Sequence, residues 1–152
     1  MQLTSYTDYS LRMLIYLAAV DYPRLASIKE ISSAYQISYN HLTKVGHELV
    51  KLGLIQSIKG RNGGIRLAKS PEEINIGWVV RRTEDNLELV ECFNPEKSTC
   101  VLTGQCRLRG VLQEALKAYL QVLDSYTLDD IITNRSVLKS LLNTPSAPPI
   151  KQ

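Results

Sequence analysis

Apolar residues recur at three- and four-residue intervals near the start of the chain, where Leu11, Leu14, Ile15 and Ala18 share one stripe. That period predicts a first helix from about Thr7 to Val20, with Ser5 as its N-cap. Asp21–Tyr22–Pro23 ends it, because the residue before a proline disfavours α geometry. Ser27 then opens a short helix, Ile28–Tyr35, in which Glu30 completes a capping box. Gln36–Ile37–Ser38 is a turn. A third helix follows from about Tyr39 to Leu52, with Leu42, Val45, Leu49 and Leu52 on one stripe and Gly53 as its C-terminal cap.

The period then changes. Leu54–Lys59 and Ile65–Ala68 read as extended runs around Gly60–Arg61–Asn62–Gly63–Gly64, and Asn-Gly between such runs predicts a tight hairpin with positive φ. Helix–turn–helix followed by a two-stranded hairpin describes a winged helix. Ser70–Pro71–Glu72–Glu73 opens another helical stretch that continues, after Asn75, through Trp78 to about Arg82. From Leu108 to Leu123 a wide apolar face (Leu108, Val111, Leu112, Ala115, Leu116, Tyr119, Leu120, Leu123) predicts a helix of about 24 Å at ~1.5 Å per residue. So apolar a helix in so small a chain needs a covering surface, and a seam between two copies is favoured over packing within one chain. Thr127 caps a last short helix, Leu128–Thr133, and the Pro-rich residues 143–152 read as a disordered tail. The fold class is therefore mainly α with a small β-hairpin wing. A winged helix-turn-helix DNA-binding domain occupies residues 1–82 and a loop residues 83–107. A dimerisation helix with its following short helix occupies residues 108–135.

Charge sharpens this picture. The formal net charge is +3, but residues 1–70 hold nine Lys/Arg against four Asp/Glu, and residues 71–152 hold nine against eleven. The basic half is where a polyanion would bind. In a helix-turn-helix the second helix presents its N-terminal residues to base edges. Here these are Ser38, Tyr39, Asn40, His41, Thr43 and Lys44. Lys59, Arg61 and Asn62 at the wing tip, with Arg66 on the return strand, suit phosphate or minor-groove contact. His41 reads as a DNA-facing polar residue and His47 as a surface or packing one.

All three cysteines, Cys92, Cys100 and Cys106, fall within one loop-like segment. An odd count leaves a thiol over after any disulfide. The first residues lack the basic-then-apolar order of an export signal, so a reducing cytoplasm is expected. Three convergent thiolates make an incomplete metal shell. Their spacing alone leaves an iron–sulfur cluster, zinc and thiol redox chemistry open. Asp8, in the first turn of the first helix, reads as a carboxylate stabilising that helix start, or as a labile oxygen ligand if the helix meets the cysteine loop. No Gly-rich phosphate loop, no nucleophile paired with a base and no hydrolytic metal cluster occurs, so an enzyme is not expected.

Several motifs together carry a resemblance. They are the opening Leu3–Thr4–Ser5–Tyr6–Thr7–Asp8–Tyr9–Ser10–Leu11–Arg12, the wing Lys59–Gly60–Arg61–Asn62–Gly63–Gly64, three cysteines before a long helix, and Tyr126–Thr127–Leu128–Asp129–Asp130–Ile131. Over residues 1–135 the chain resembles the winged-helix repressors that carry an iron–sulfur cluster, and among them the nitric-oxide-sensing NsrR family. The resemblance implies a cytoplasmic homodimer joined by the long helix. It implies a [4Fe-4S] cluster, with [2Fe-2S] as the alternative, held by Cys92, Cys100, Cys106 and an aspartate from the first helix of the other subunit, which maps onto Asp8. Cluster-assembly regulators of the same group use a histidine three residues after the third cysteine, where this chain has Arg109. The implied function is repression at operator DNA, relieved by nitric oxide to express genes against nitrosative stress. A regulator sensing iron or redox status is the alternative.

Overall fold

The computed structural model describes residues 1–142 in full, so the predicted 143–152 tail lies outside the described residues. Seven helices and one two-stranded sheet follow in the order α1 (Ser5–Ala19), α2 (Ile28–Tyr35), α3 (Tyr39–Lys51), β1 (Ile55–Ile58), β2 (Gly64–Leu67), α4 (Ile76–Thr83), α5 (Arg107–Asp124), α6 (Leu128–Ile131) and α7 (Arg135–Leu142). The expected class, mainly α with a β-hairpin wing on a helix-turn-helix, is what the chain adopts.

Helix α1 is the hub. Met13, Leu14, Tyr16, Leu17, Ala18 and Ala19 are buried, while Leu11 and Ile15 of the expected stripe are only partly so. The stripe shifted because α1 packs on several elements at once: α3, α4, α6, α7 and β2. Its cap is Thr4, whose hydroxyl accepts from the Thr7 N–H; Ser5 is already helical. The Ser27–Glu30 capping box of α2 forms as expected. The turn into α3 passes through Gln36 at φ +57, and the Ile37 N–H returns to the Ser32 carbonyl at 3.1 Å. Gly53, at φ +72, closes α3 in the left-handed conformation that glycine adopts at least cost.

The hairpin pairs Ile55 with Leu67 through Ile58 with Gly64, leaving residues 59–63 as its loop. Its five residues match the length of the Gly60–Gly64 turn expected from the sequence, displaced by one position. Positive φ falls on Gly60 (+114) rather than on Asn62 or Gly63. Gly63 is required for space instead, since a Cβ there would lie 2.1 Å from the Ile58 carbonyl oxygen. The stretch expected to be helical from Ser70 to Arg82 is split into a 3-10 turn, Pro71–Glu73, and α4. Ile74 stays extended between them because its carbonyl accepts the Leu128 N–H at 2.8 Å, while Asn75 bridges to Thr127. The last expected helix stops at Ile131, and α7 then follows where none was expected. Arg135 of α7 donates to the Ala18 carbonyl at the end of α1, and Lys139 pairs with Asp21.

The C-terminal end of α5 is seated on the start of α4. Asn75 Nδ2 donates to the Asp124 carbonyl at 2.7 Å, and Arg81 grips the Asp124 carboxylate with both guanidinium arms. That pairing holds the Asp124 carboxyl below its usual range. Gly77 permits the approach, because a Cβ on it would lie 2.0 Å from Asp124 Oδ1 and 2.8 Å from its backbone nitrogen. Along the rest of α5, Leu112, Leu116 and Leu120 are half-buried, while Leu108, Val111 and Val122 are about three-fifths exposed (62%, 60% and 58%). Gly77→Ala should therefore push α5 off α4 and cost about 1–3 kcal/mol as an overpacking substitution, read as a lower urea midpoint at unchanged slope.

Candidate functional site

The recognition face is built from the first turns of α3 and the wing loop. Ser38 caps α3 by position, but its side chain makes no cap bond. Ser38, Tyr39, Asn40, His41 and Lys44 are exposed on one end of the helix. Thr43 is half-buried and its hydroxyl donates to the Tyr39 carbonyl at 2.8 Å, so only its oxygen lone pairs remain for a base. Leu42, Val45 and Leu49 point the other way into the core, which fixes the polar side outward. Gly46 lets α3 sit closely on α2 and α1, since a Cβ there would meet Ile28 Cδ1 at 3.2 Å. Lys59, Arg61 and Asn62 are exposed at the wing tip. Arg66 is withdrawn from it: its Nε donates to Gln56 Oε1 at 3.1 Å and its guanidinium lies 5.9 Å from the Tyr22 ring centroid. His47 is exposed.

Behind this face, α1 touches both helices of the helix-turn-helix. Tyr9 stacks on His41, with ring centroids 6.3 Å apart. Arg12 lies 5.8 Å over the Tyr35 ring of α2, and the Tyr35 hydroxyl donates to the Arg12 carbonyl at 2.9 Å. The same Arg12 holds Asp8 through two contacts, Nε to Oδ1 at 3.0 Å and Nη2 to Oδ2 at 2.9 Å. Asp8 stands in the first turn of α1, where a carboxylate favours the helix start, and it also serves an i,i+4 ion pair. Both partners are over two-fifths exposed, and pairs of that kind contribute about 0.2–1 kcal/mol, so the carboxylate is cheaply released to a stronger partner.

The segment between α4 and α5 carries the thiols. Cys92 lies in a 3-10 turn, Glu91–Phe93; Cys100 starts a turn closed by the Thr103 N–H on its carbonyl at 3.2 Å; Cys106 occupies the N-cap position of α5. All three are free and half-buried. Within one protomer they are not drawn to a point: among the described residues no three His, Cys, Asp or Glu side chains gather where they could hold a metal ion. Nor does Asp8 meet them. The segment is instead tied to the start of α1 by Glu84, whose Oε1 accepts from the Thr4 N–H at 2.8 Å and the Thr4 hydroxyl at 3.0 Å. One polar group here escaped sequence reading. The Nε of Arg109, in the first turn of α5, is buried without a hydrogen-bond partner. Three soft sulfur donors on irregular backbone, with a shielded and unsatisfied cationic N–H three residues after the last of them, fit an anionic iron–sulfur group.

A family model described as "Rrf2: Iron-dependent Transcriptional regulator" matches residues 3–134. The chain belongs to the Rrf2 family. It is 68% identical over 142 residues to the HTH-type transcriptional regulator NsrR of Shouchella clausii, spanning 93% of this chain and 95% of the relative. It is 54% identical to NsrR of Bacillus subtilis, spanning 93% and 97%. Among solved structures, CymR, described as the global cysteine regulator of B. subtilis, superposes at a TM-score of 0.69 with 27% identity over 88% of this chain and 98% of that one. T. potens IscR does so at 0.71 with 25% identity, covering 88% of each. The Rrf2 chain is thus a transcription regulator and not an enzyme, in keeping with its winged helix. Among the described residues no helix is long and apolar enough to cross a membrane.

Tyr35 provides a probe of the α1–α2 contact. Burial is the main cause that pushes its phenol up from 10.0 to about 12; Arg12 opposes the shift, and Tyr16 and Asp8 reinforce it. Because the folded chain keeps this proton where the unfolded chain loses it, the associated stability is complete below pH 10 and is lost as pH rises towards about 12. Tyr35→Phe should remove part of that alkaline loss, seen as a flatter dependence of melting temperature on pH across this window.

Proposed function

We propose that this chain is a nitric-oxide-responsive transcriptional repressor, working as a homodimer on operator DNA. The observation that carries the reading is the order of parts: three free thiols lie directly ahead of a partly uncovered apolar helix, and that helix is seated on a winged helix-turn-helix. A second copy covers the face formed by Leu108, Val111, Leu112, Tyr119 and Val122. Cys92, Cys100 and Cys106 hold a [4Fe-4S] cluster, or [2Fe-2S] in the alternative, with Asp8 of the partner subunit completing the shell. When bound, the cluster supplies iron open to attack by nitric oxide.

The chain's own residues convert ligation into DNA affinity. An oxygen donor would be the weakest partner for iron in this set, so Asp8 would be its labile ligand. While tethered, Asp8 fixes α1 against α3 through the adjacent Tyr9 on His41. Once free, it returns to Arg12, which touches α2 through Tyr35. Ser38, Tyr39, Asn40, His41, Thr43 and Lys44 then lose their register in the major groove, and Lys59, Arg61 and Asn62 theirs on the backbone or minor groove. About 3 kcal/mol of coupling corresponds to more than a hundredfold in operator affinity. The description of the family as iron-dependent favours a second reading, in which cluster presence itself is the signal.

The two readings separate in one experiment. Anaerobic protein bound to genomic fragments it has selected is titrated with a nitric oxide donor, and in parallel with an iron chelator. Nitric oxide should change the visible absorption and release the DNA at the same stoichiometry. A Cys92→Ala, Cys100→Ala, Cys106→Ala triple variant that still releases DNA on nitric oxide would contradict the mechanism. Release by chelator alone would select the iron-status reading. At the wing, Arg61→Ala should weaken binding evenly across sequences and reduce the salt slope by about one, as loss of a single phosphate contact requires.

A further inference from the structure

Among the described residues, four helix starts are capped by a side chain, whereas those of α3 and α5 are not. The caps of α1, α2, α4 and α6 each accept a backbone N–H through a side chain, and acidic residues occupy the first turns of α1, α2 and α6. The α5 cap is Cys106, with no side-chain cap bond, and its first turn holds no acidic residue but two cations, Arg107 and Arg109. Exposed N–H groups and the helix dipole already make that end positive, so two guanidinium groups there are unfavourable unless an anion faces them. Arg107 is exposed and screened by water. Arg109 is half-buried, and its Nε is shielded from solvent with no hydrogen-bond partner among the described residues. A buried, unpartnered donor on a charged group costs more than a neutral one, and native structures seldom keep one without a use.

We propose that Arg109 is the hydrogen-bond donor and counter-charge to the anionic sulfur-rich group held at Cys106 and its two fellow thiolates. This rests on the cluster reading above and extends it from the ligands to a residue that touches no iron. Thiolates and inorganic sulfides are acceptors with net negative charge, which is what the orphaned Nε and the uncapped α5 start both lack. Donors to cluster sulfur favour the more electron-rich state and raise the reduction potential, and groups of this outer kind hold ligands in place. Arg109 is accordingly a positioning and tuning residue, not a ligand.

The test uses the full chain, loaded anaerobically with iron and sulfide, as wild type, Arg109→Gln, Arg109→Lys and Arg107→Gln. Arg109→Gln should still acquire the cluster. Its reduction midpoint should move to a more negative potential, and its cluster should be lost to a chelator on the order of tenfold faster. Arg109→Lys should fall between it and wild type, and Arg107→Gln should match wild type. Apo Arg109→Gln should melt no lower than apo wild type, because the substitution removes an unsatisfied group. An unchanged midpoint and loss rate in Arg109→Gln would overturn the inference. So would equal destabilisation of its apo and loaded forms, which marks a packing role. Should Arg109→Gln fail to fold, Arg109→Lys decides on the same two readouts, with wild-type values overturning the inference. Wild type that acquires no iron and sulfide would instead overturn the cluster reading and this one with it.

Discussion

Burial of α1 is the constraint on which the rest of the structure depends. Met13, Leu14, Leu17 and Ala18 are removed from water by elements drawn from the whole length of the chain, from α3 and β2 to α6 and α7. An exposed helix in a two-layer fold can slide at little cost. A helix packed on many sides cannot, because interiors are dense and each displaced side chain leaves a void or a clash. Its first turns, in which Thr7 and Ser10 are also buried, carry Asp8, Tyr9 and Arg12. Whatever is done to Asp8 is therefore passed to the neighbouring helices through rigid contacts, rather than absorbed by movement of α1 as a whole.

Much of this could be read before any coordinates. Ser27 with Glu30, Gly53 after α3, Thr127 ahead of α6 and the periodic apolar face of α5 all act locally, so their chemistry is written in adjacent residues. What escaped was decided at a distance. The helix expected from Ser70 to Arg82 breaks at Ile74 because a backbone bond to Leu128, far along the chain, competes for its carbonyl. The stripe on α1 was misplaced because a helix enclosed on several sides has no single apolar face. The hairpin loop begins one residue earlier than expected, at Lys59, since Ile58 and Gly64 set the last rung of the ladder. Helix α7 was missed although Val137, Leu138, Leu141 and Leu142 repeat at helical spacing, because the run follows so closely on a short capped helix.

The candidate site divides in the same way. The thiols and the polar first turns of α3 stood out by residue type alone. The partners of Asp8 and Arg66 did not. Asp8 is engaged by Arg12 one turn on, and Arg66 is drawn back to Gln56 and Tyr22, so neither is an idle surface charge. Arg109 had been noticed only as the place where a related regulator has histidine. Its significance is a matter of solvent exclusion at one nitrogen, which no pattern of letters reveals.

The seating of α5 on α4 has a geometric consequence. The helix is a strut of 18 residues, about 27 Å at ~1.5 Å per residue, with Cys106 at one end and the Asp124–Arg81 grip at the other. Each residue of an α-helix also advances the azimuth by about 100°, so span and phase are set by one integer. Adding or deleting a single residue would swing the sulfur-bearing end a quarter turn or more about the strut axis while leaving the Asp124 joint intact. A side chain on this helix can change without altering that span, but the residue count is as strictly gauged as the tooth number of a gear.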